Sequence, residues 1–292
     1  MQIDQKPNWQ RVTIVIVTHN SSKVITSCLS SVSAAQEVIV VDNASTDSTC
    51  EEIRRIMPNA EIIENLDNRG FGSGVNQGLA KVKTEFGFCF SPDAILADGA
   101  MPDLIVAADK NPGTALFGPS IKRTDGNPEI YVMGARELCH KKMDTIPAGQ
   151  FCTWFIMGGF FLCRMSAWRH VGGFDKQIFL YVEDVDLSIR MVEANFSLML
   201  VPEAEVIHFG GQSSKISWSV KWRKDWHQTW SRLYVIAKHG GMKEAKQDAI
   251  CTFRQKTCKA LLYALLLRPD RVRGNCAKAL GALAFLRNRP SH

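Results

Sequence analysis

The sequence predicts an α/β fold in which a mostly parallel sheet flanked by helices is followed by a helical extension. Three observations predict it. β-Branched apolar runs alternate with segments of helical period from Val12 to Phe90, the order that parallel strands with right-handed crossovers require. Strand patterns stop after Gly211, and the rest reads as helices. The charge changes sign at the same point: Ser213–His292 holds 17 Lys and Arg against 4 Asp and Glu, a balance of +13 in a chain of net charge +6.

Arg11–Thr18 is a β-branched run with no polar alternation, the pattern of a strand buried on both faces. Ser21–Val32 follows at helical spacing, with Val24, Cys28, Leu29 and Val32 on one face. Glu37–Val41 is a second buried strand. Ser48 and Glu51 form a capping box that opens the next helix, which Pro58 stops. Glu61–Glu64 reads as a short third strand, Gly72–Lys83 as a helix and Glu85–Phe90 as a fourth strand. Further on, Asp98–Lys110 and Glu183–Glu193 are expected helices. Thr114–Phe117, Phe160–Cys163, Ser197–Val201 and Glu205–His208 are expected strands. Lys122–Gln150, rich in Gly, Pro and polar clusters, is expected to be loop.

Composition narrows the class. With 292 residues, 46% hydrophobic and 22% charged, the chain can bury one large core and carry an appendage, and it is not a disordered polymer. Its apolar runs, such as Ala260–Leu267, fall far short of the ~18 residues a membrane span needs. The polar Met1–Gln10 has no signal-peptide core. A cytoplasmic protein is expected. Nine cysteines without any C-x-x-C pair argue against a disulfide framework or a zinc knuckle.

In open parallel sheets, ligands bind beyond the carboxyl ends of the strands. Three polar clusters fall there: Thr18-His19-Asn20, Asp42-Asn43-Ala44-Ser45 and Ser91-Pro92-Asp93. Helix capping explains any one of them; three on one rim point to a ligand. The loop Asn65–Gly78 is rich in glycine and opens a helix whose amides suit phosphate, and Arg69 adds a planar cation. It misses the dinucleotide spacing and follows the third strand, which argues against a dehydrogenase. Glu183 and Asp184 begin a helix whose dipole favours ionised carboxylates, so Asp184 is a candidate general base. Asp186 and Arg190 read as a helical ion pair.

Taken in order, V-T-I-V-I-V-T-H-N, V-I-V-V-D-N-A-S-T-D, N-R-G-F-G-S-G-V-N-Q-G, S-P-D and G-G-F-D … Y-V-E-D-V-D-L make the chain resemble a family 2 inverting glycosyltransferase of GT-A fold, and most of all its bacterial rhamnosyltransferase branch. The resemblance spans about Val12 to Ser213. It implies a catalytic domain over residues 1–212, with 213–292 as a basic, Trp-rich helical extension. It implies that Thr18, His19, Asn20 and Asp42 hold the base and ribose of a nucleotide diphosphate sugar, Asp42 taking the pyrimidine imide. Asn68, Arg69, Gly70, Asn76 and Ser91 match positions around the sugar nucleotide. Gly158, Gly159 and Glu183 match the acceptor side, and Asp184 matches the catalytic base. Asp93 matches the last acid of the D-x-D metal motif, whose first acid is Ser91 here, and His208 matches a second metal ligand. A divalent ion, Mn²⁺ or Mg²⁺, is implied. The donor implied is dTDP-rhamnose, with a UDP-hexose as alternative. The acceptor implied is a glycan or lipid-linked hydroxyl in cell-surface polysaccharide assembly. The incomplete D-x-D leaves open a non-catalytic protein that only binds nucleotide sugar.

In the extension, Trp218, Trp222, Trp226 and Trp230 recur every four residues among Lys221, Arg223, Lys224 and Arg232. Two readings stay open: a stripe packed onto the catalytic body, or a contact with an anionic membrane surface or lipid diphosphate. The second would make the protein peripheral on the inner face of the cell membrane. No nucleic-acid partner is expected.

Overall fold

The computed structural model describes residues 9–133, 141–145, 147–210 and 217–291. The chain divides into two compact units, Met1–Phe174 with Leu187–Ser214, and Asp175–Asp186 with Lys215–His292. The boundary expected at 212/213, with Gly211–Ser213 of the H-F-G-G-Q-S stretch, lies outside the described residues.

The first unit is built on a nine-stranded sheet. Its leading half contains β1 (Val12–Thr18), α1 (Ile25–Ser31), β2 (Glu37–Asp42), α2 (Thr49–Ile56), β3 (Glu61–Glu64), α3 (Phe71–Lys81) and β4 (Phe86–Phe90). The four strands are parallel in the order β3-β2-β1-β4. β1 is apolar throughout because both its faces are covered. Ile14 and Ile16 face the cluster containing Leu29 and Phe88, while Val15 and Val17 face Val75 and Leu79. Removing such a buried branched side chain costs about 2–5 kcal/mol.

The second half is more mixed than the sequence predicts. It runs β5 (Ala94–Leu96), α4 (Ala100–Lys110), β6 (Thr114–Arg123), β7 (Ile130–Val132), β8 (Lys141–Met143), β9 (Phe151–Thr153), β10 (Phe160–Arg164), α5 (Met165–Val171), α6 (Glu183–Glu193) and β11 (Ser197–His208). β10 enters antiparallel between β4 and β6, β11 lies parallel to β6, and β5 and β9 pair antiparallel with β11. The expected loop 122–150 contains the β7–β8 hairpin. The two strands expected around Pro202 are one, whose register against β6 slips between Val201 and Glu205, where proline has no N–H to donate. The capping box is not formed either: Ser48 makes no side-chain cap bond, and Asp47 accepts the N–H of Thr49 at 3.1 Å instead.

In the second unit, α7 (Trp218–His239), α8 (Met242–Leu265) and α9 (Pro269–Leu286) pack on one another. The Trp stripe runs from this interior at Trp230 out to solvent at Trp218. Trp230 is buried and donates Nε1–H to the carbonyl of Arg289 at 2.9 Å. Trp222 and Trp226 are half-buried, and a Cβ at Gly281 of α9 would sit 2.7 Å from the Trp226 carbonyl. Trp218, at the exposed end, lies under the Arg273 guanidinium at 4.9 Å. Of the two readings left open for the indole row, the burial of Trp230 and the partial burial of Trp222 and Trp226 favour packing, here within the helical unit itself, while Trp218 stays exposed. No helix among the described residues is long and apolar enough to cross a membrane.

Candidate active site

At the carboxyl end of the parallel strands, β1 and β2 deliver Thr18 and Asp42 as neighbours in register. The Thr18 hydroxyl donates to Asp42 Oδ1 at 2.8 Å. Ser45 donates its hydroxyl to the same oxygen at 2.5 Å and its N–H to Oδ2 at 2.8 Å. Thr18 and Asp42 are buried, so this carboxylate first of all ties the turn after β2 to the end of β1. His19 is exposed beside it and donates Nδ1–H to the carbonyl of Asn43 at 2.7 Å. A carbonyl only accepts, so Nδ1 donates in this bond, while Nε2 lies 3.5 Å from the side-chain amide of Asn20. Asn20, at φ +55°, accepts the N–H of Thr46 at 2.8 Å. The three clusters of polar residues do share one rim.

The glycine-rich segment has a different use from the one its composition predicts. Gly74 and Gly78 lie inside α3, within the helix expected over Gly72–Lys83, and are buried. A Cβ at Gly74 would come within 2.8 Å of Val17, and one at Gly78 would collide with Val15. These glycines let the helix rest directly on β1. Only Gly70, at φ +84°, shapes the turn, with Asn68 accepting its N–H at 2.9 Å. Arg69 is exposed and 3.3 Å from Asp67. Asn76 is engaged within the fold: its amide donates to the Phe174 carbonyl at 2.8 Å and accepts the Phe174 N–H at 2.9 Å. It pegs the chain after α5, and a ligand would have to compete with two backbone bonds for it.

The second cluster forms where β4 ends. Ser91 donates to Asp93 Oδ1 at 2.6 Å, so the residue replacing the first acid of D-x-D supports the remaining one. The β11–β5 pairing sets His208 opposite Ala94, which brings its Nε2 to 3.4 Å from Asp93 Oδ1. Gly159 lies alongside, since a Cβ there would meet Ser91 at 3.6 Å, and Gly158 accepts from the Cys89 thiol. The far nitrogen of the ring, Nδ1, is 2.7 Å from Glu129 Oε2. Burial alone would lower the pKa of His208, but the hydrogen bonds and charges of Asp93 and Glu129 raise it to about 9. Glu129 is held below the usual carboxylate range chiefly by its bond to His208.

The chemistry of Asp93 and His208 fits a divalent ion. Two ligands at right angles on an ion bound at about 2.1 Å are about 3.0 Å apart, close to the separation seen. Glu129 on the other nitrogen is the partner that fixes a ligating imidazole. Among the described residues no group of three or more His, Cys, Asp or Glu could hold a metal, because Glu129 faces away from the shared point. Further oxygens would have to come from a bound diphosphate or water.

Asp184 belongs to the second unit, in the segment Asp175–Asp186. Its Oδ1 accepts the N–H of Val185 at 2.9 Å, and it is half-buried. The two residues before the helix, Tyr181 and Val182, stand at φ +65° and +69°. A β-branched residue there is strained, of order 1–3 kcal/mol, and such strain persists only where surrounding contacts impose it. Those contacts come from α7: Ser231 donates to the Leu180 carbonyl at 3.0 Å, Tyr234 to Asp175 at 2.9 Å, and Lys238 to Asp175 at 2.7 Å. Asp186 is fully buried, 2.7 Å from Lys238 and 2.9 Å from His239. Arg190 donates to the carbonyls of Val171 and Gly173. Neither residue is confined to the helical partner that the spacing predicts. Glu183 is the residue expected toward the acceptor. It is buried with Oε2 lacking a partner, and desolvation, helped by the charge of Asp184, pushes its pKa up to about 8.

Sequence reasoning missed Glu129 and Lys238. For Glu129 the signal was present: Asp125-Gly126-Asn127-Pro128 is a turn, and it returns the chain so that the Glu129 N–H bonds the Ile121 carbonyl at 2.7 Å. For Lys238 there was none, since nothing local links α7 to residues 50 positions earlier.

The sequence profile of Glycosyl transferase family 2 matches residues 13–172. The chain is 28% identical over 236 residues to the N-acetylglucosaminyl-diphospho-decaprenol L-rhamnosyltransferase of Mycobacterium tuberculosis (strain ATCC 25618 / H37Rv), covering 69% of this chain and 76% of that one. It is 27% identical over 219 residues to the poly-beta-1,6-N-acetyl-D-glucosamine synthase of Staphylococcus aureus (strain N315), covering 66% of this chain but only 50% of that one. Among solved structures, GalNAc-T7 with UDP, GalNAc and Mn²⁺ superposes with a TM-score of 0.62 at 16% identity, over 96% of this chain and 57% of that one. The mannosyltransferase PcManGT from Pyrobaculum calidifontis with GDP-Man and Mn²⁺ gives 0.58 at 14% identity, over 97% and 89%.

Proposed function

Because the chain belongs to glycosyl transferase family 2 and is a glycosyltransferase of GT-A fold, we propose that it moves L-rhamnose from dTDP-rhamnose to a hydroxyl of a glycan or lipid-linked acceptor. The observation that supports this most is the Asp93–His208 pair, 3.4 Å apart beside Ser91 at the end of the parallel strands. The rhamnose donor rests on the likeness to the mycobacterial rhamnosyltransferase. A UDP-hexose is the second reading, favoured by the UDP seen in the GalNAc-T7 structure.

Thr18, His19, Asn20 and Asp42 form the wall for base and ribose, and His19 is its exposed member. Asn68, Arg69 and Gly70 border the sugar nucleotide, and Arg69 is exposed enough to turn from Asp67 to a phosphate. A divalent ion, Mn²⁺ or Mg²⁺, held by Asp93 and His208, would neutralise charge on the departing diphosphate. Asp184 takes the proton of the acceptor hydroxyl as its oxygen bonds to the anomeric carbon. The sugar–phosphate bond breaks with its electron pair left on the diphosphate, and configuration inverts. The basic second unit holds the protein peripherally on an anionic membrane face, where a lipid-linked acceptor would be met.

Turnover of dTDP-rhamnose against UDP-glucose and UDP-N-acetylglucosamine, with Mn²⁺ and after chelation, tests the reading. Metal-dependent turnover of dTDP-rhamnose is expected. Preference for a UDP sugar transfers the assignment to the second reading, and full activity after exhaustive chelation removes the metal from it.

A further inference from the structure

The second unit exposes an apolar corner that its own fold does not use. Leu261, Leu262, Leu265, Leu266 and Leu267, at the junction of α8 and α9, are all exposed, Leu265 to 83% and Leu267 to 87%. Single exposed leucines are common on protein surfaces; five within seven residues are not.

Leu267 is anomalous for a second, independent reason. α8 ends in a Schellman turn, with the Leu267 N–H on the Ala264 carbonyl at 3.1 Å and the Arg268 N–H on the Tyr263 carbonyl at 2.9 Å. The residue at that turn must be left-handed, and Leu267 has φ +50°. Glycine or asparagine is the low-energy choice there. The same turn closes α6 with Asn195 at φ +62° and α9 with Asn288 at φ +52°. Of these three helix ends, only that of α8 gives the left-handed position to a bulky apolar side chain, and it then stands in solvent. Folding gains nothing from it.

The surroundings are cationic. An open cleft of about 580 Å³ beside the corner is lined by six basic side chains, including Lys256, Lys259, Arg268 and Arg271, against Asp225 and Asp270. Six basic side chains against two acids leave the cleft with an excess of positive charge. Leucines at a protruding corner with a basic collar match the cross-section of an anionic bilayer, apolar inside and phosphate-bearing at its face.

We propose that the α8–α9 corner is an interfacial membrane anchor, in which Leu265, Leu266 and Leu267 enter the acyl boundary and the cleft around Lys259, Arg268 and Arg271 takes anionic lipid headgroups. This rests on the peripheral-membrane part of the function proposed above and assigns it to a surface other than the Trp stripe.

The test is co-sedimentation of the full chain with phosphatidylcholine vesicles, with and without phosphatidylglycerol. The wild type is expected to bind only the phosphatidylglycerol vesicles and to be released by high salt. The variant Leu265→Ser with Leu266→Ser and Leu267→Gly is expected to keep its melting temperature and donor hydrolysis while its partition falls by at least about tenfold. A variant that binds as well as wild type overturns the corner and leaves peripheral attachment standing. Wild type that binds neither vesicle overturns both. Two further results overturn the anchor: self-association of wild type that the variant loses, which makes the leucines an interface between copies, or release by inorganic phosphate well beyond that by chloride at equal ionic strength, which makes the cleft a free-phosphate site.

Discussion

Glu129 Oε2 lies 2.7 Å from Nδ1 of His208, on the side of the ring opposite Asp93. A carboxylate there accepts Nδ1–H and leaves Nε2 directed at Asp93, where a metal would have to replace the proton that the two acids hold on the ring. Glu129→Ala is expected to weaken Mn²⁺-dependent nucleotide binding by about 10–100-fold, and Glu129→Gln, which keeps an acceptor oxygen, to recover most of it. Mn²⁺ titration followed by electron paramagnetic resonance, with nucleotide present, reads this without turnover. Equal affinities in all three proteins would detach Glu129 from the site.

Glu183 makes stability depend on pH with a definite sign. Its folded pKa, pushed to about 8 by burial and then by Asp184, lies above the ordinary value of 4.5. The native state therefore holds this proton at pH values where the unfolded chain releases it. The stability it contributes is complete below pH ~4.5 and is lost as pH rises toward ~8, by on the order of a few kcal/mol. Glu183→Gln should flatten the melting-temperature profile between pH 5 and 8, measured by calorimetry. A profile that stays parallel to wild type would show that Glu183 is not the group responsible.

Asp184→Asn should retain the melting temperature and nucleotide affinity while kcat falls by at least ~100-fold, the usual worth of a positioned base. The residue stands at the first turn of α6, after two strained backbone positions. Near-normal turnover, with Glu183 intact, would take the role from it.

The fold was legible where local pattern and burial agree. The β-branched run of β1 and the helices α2, α4 and α6 appear within a few residues of their expected limits. What was not legible depends on partners far along the chain. β5, β7 and β9 are three residues each and exist only through pairing with β11 or β8. The same holds at the site. Asp93 and His208, expected to share an ion from residues 115 positions apart, do meet. Asn76 and Gly74 match a ligand-loop pattern, yet one pegs Phe174 and the other makes room for Val17. Residue identity in a motif shows that a position is constrained; it does not distinguish contact with a ligand from contact with the backbone.

The last expectation concerns the clamp on the Asp184 segment. Lys238 reaches both Asp175 and Asp186, at opposite ends of that segment, each at 2.7 Å, and Asp186 has no exposure at all. Removing one partner of a buried ion pair costs about 3–5 kcal/mol, because a charge remains behind, whereas removing both costs less. Lys238→Met should therefore destabilise the protein within or somewhat below that range, since His239 still faces Asp186 at 2.9 Å. Asp186→Asn combined with Lys238→Met should cost less than the two singles added, as expected for coupled residues. The clamp also has a consequence for activity. With α7 no longer holding the strained turn at Tyr181 and Val182, Asp184 should sample other positions, so kcat falls by about tenfold while donor KM is nearly unchanged. A purely structural role would lower the amount of folded enzyme without that split. Kinetics on folded Lys238→Met, at a temperature well below its melting point, decide it: an unchanged kcat would confine the helical unit to stability and leave the Asp184 segment holding itself.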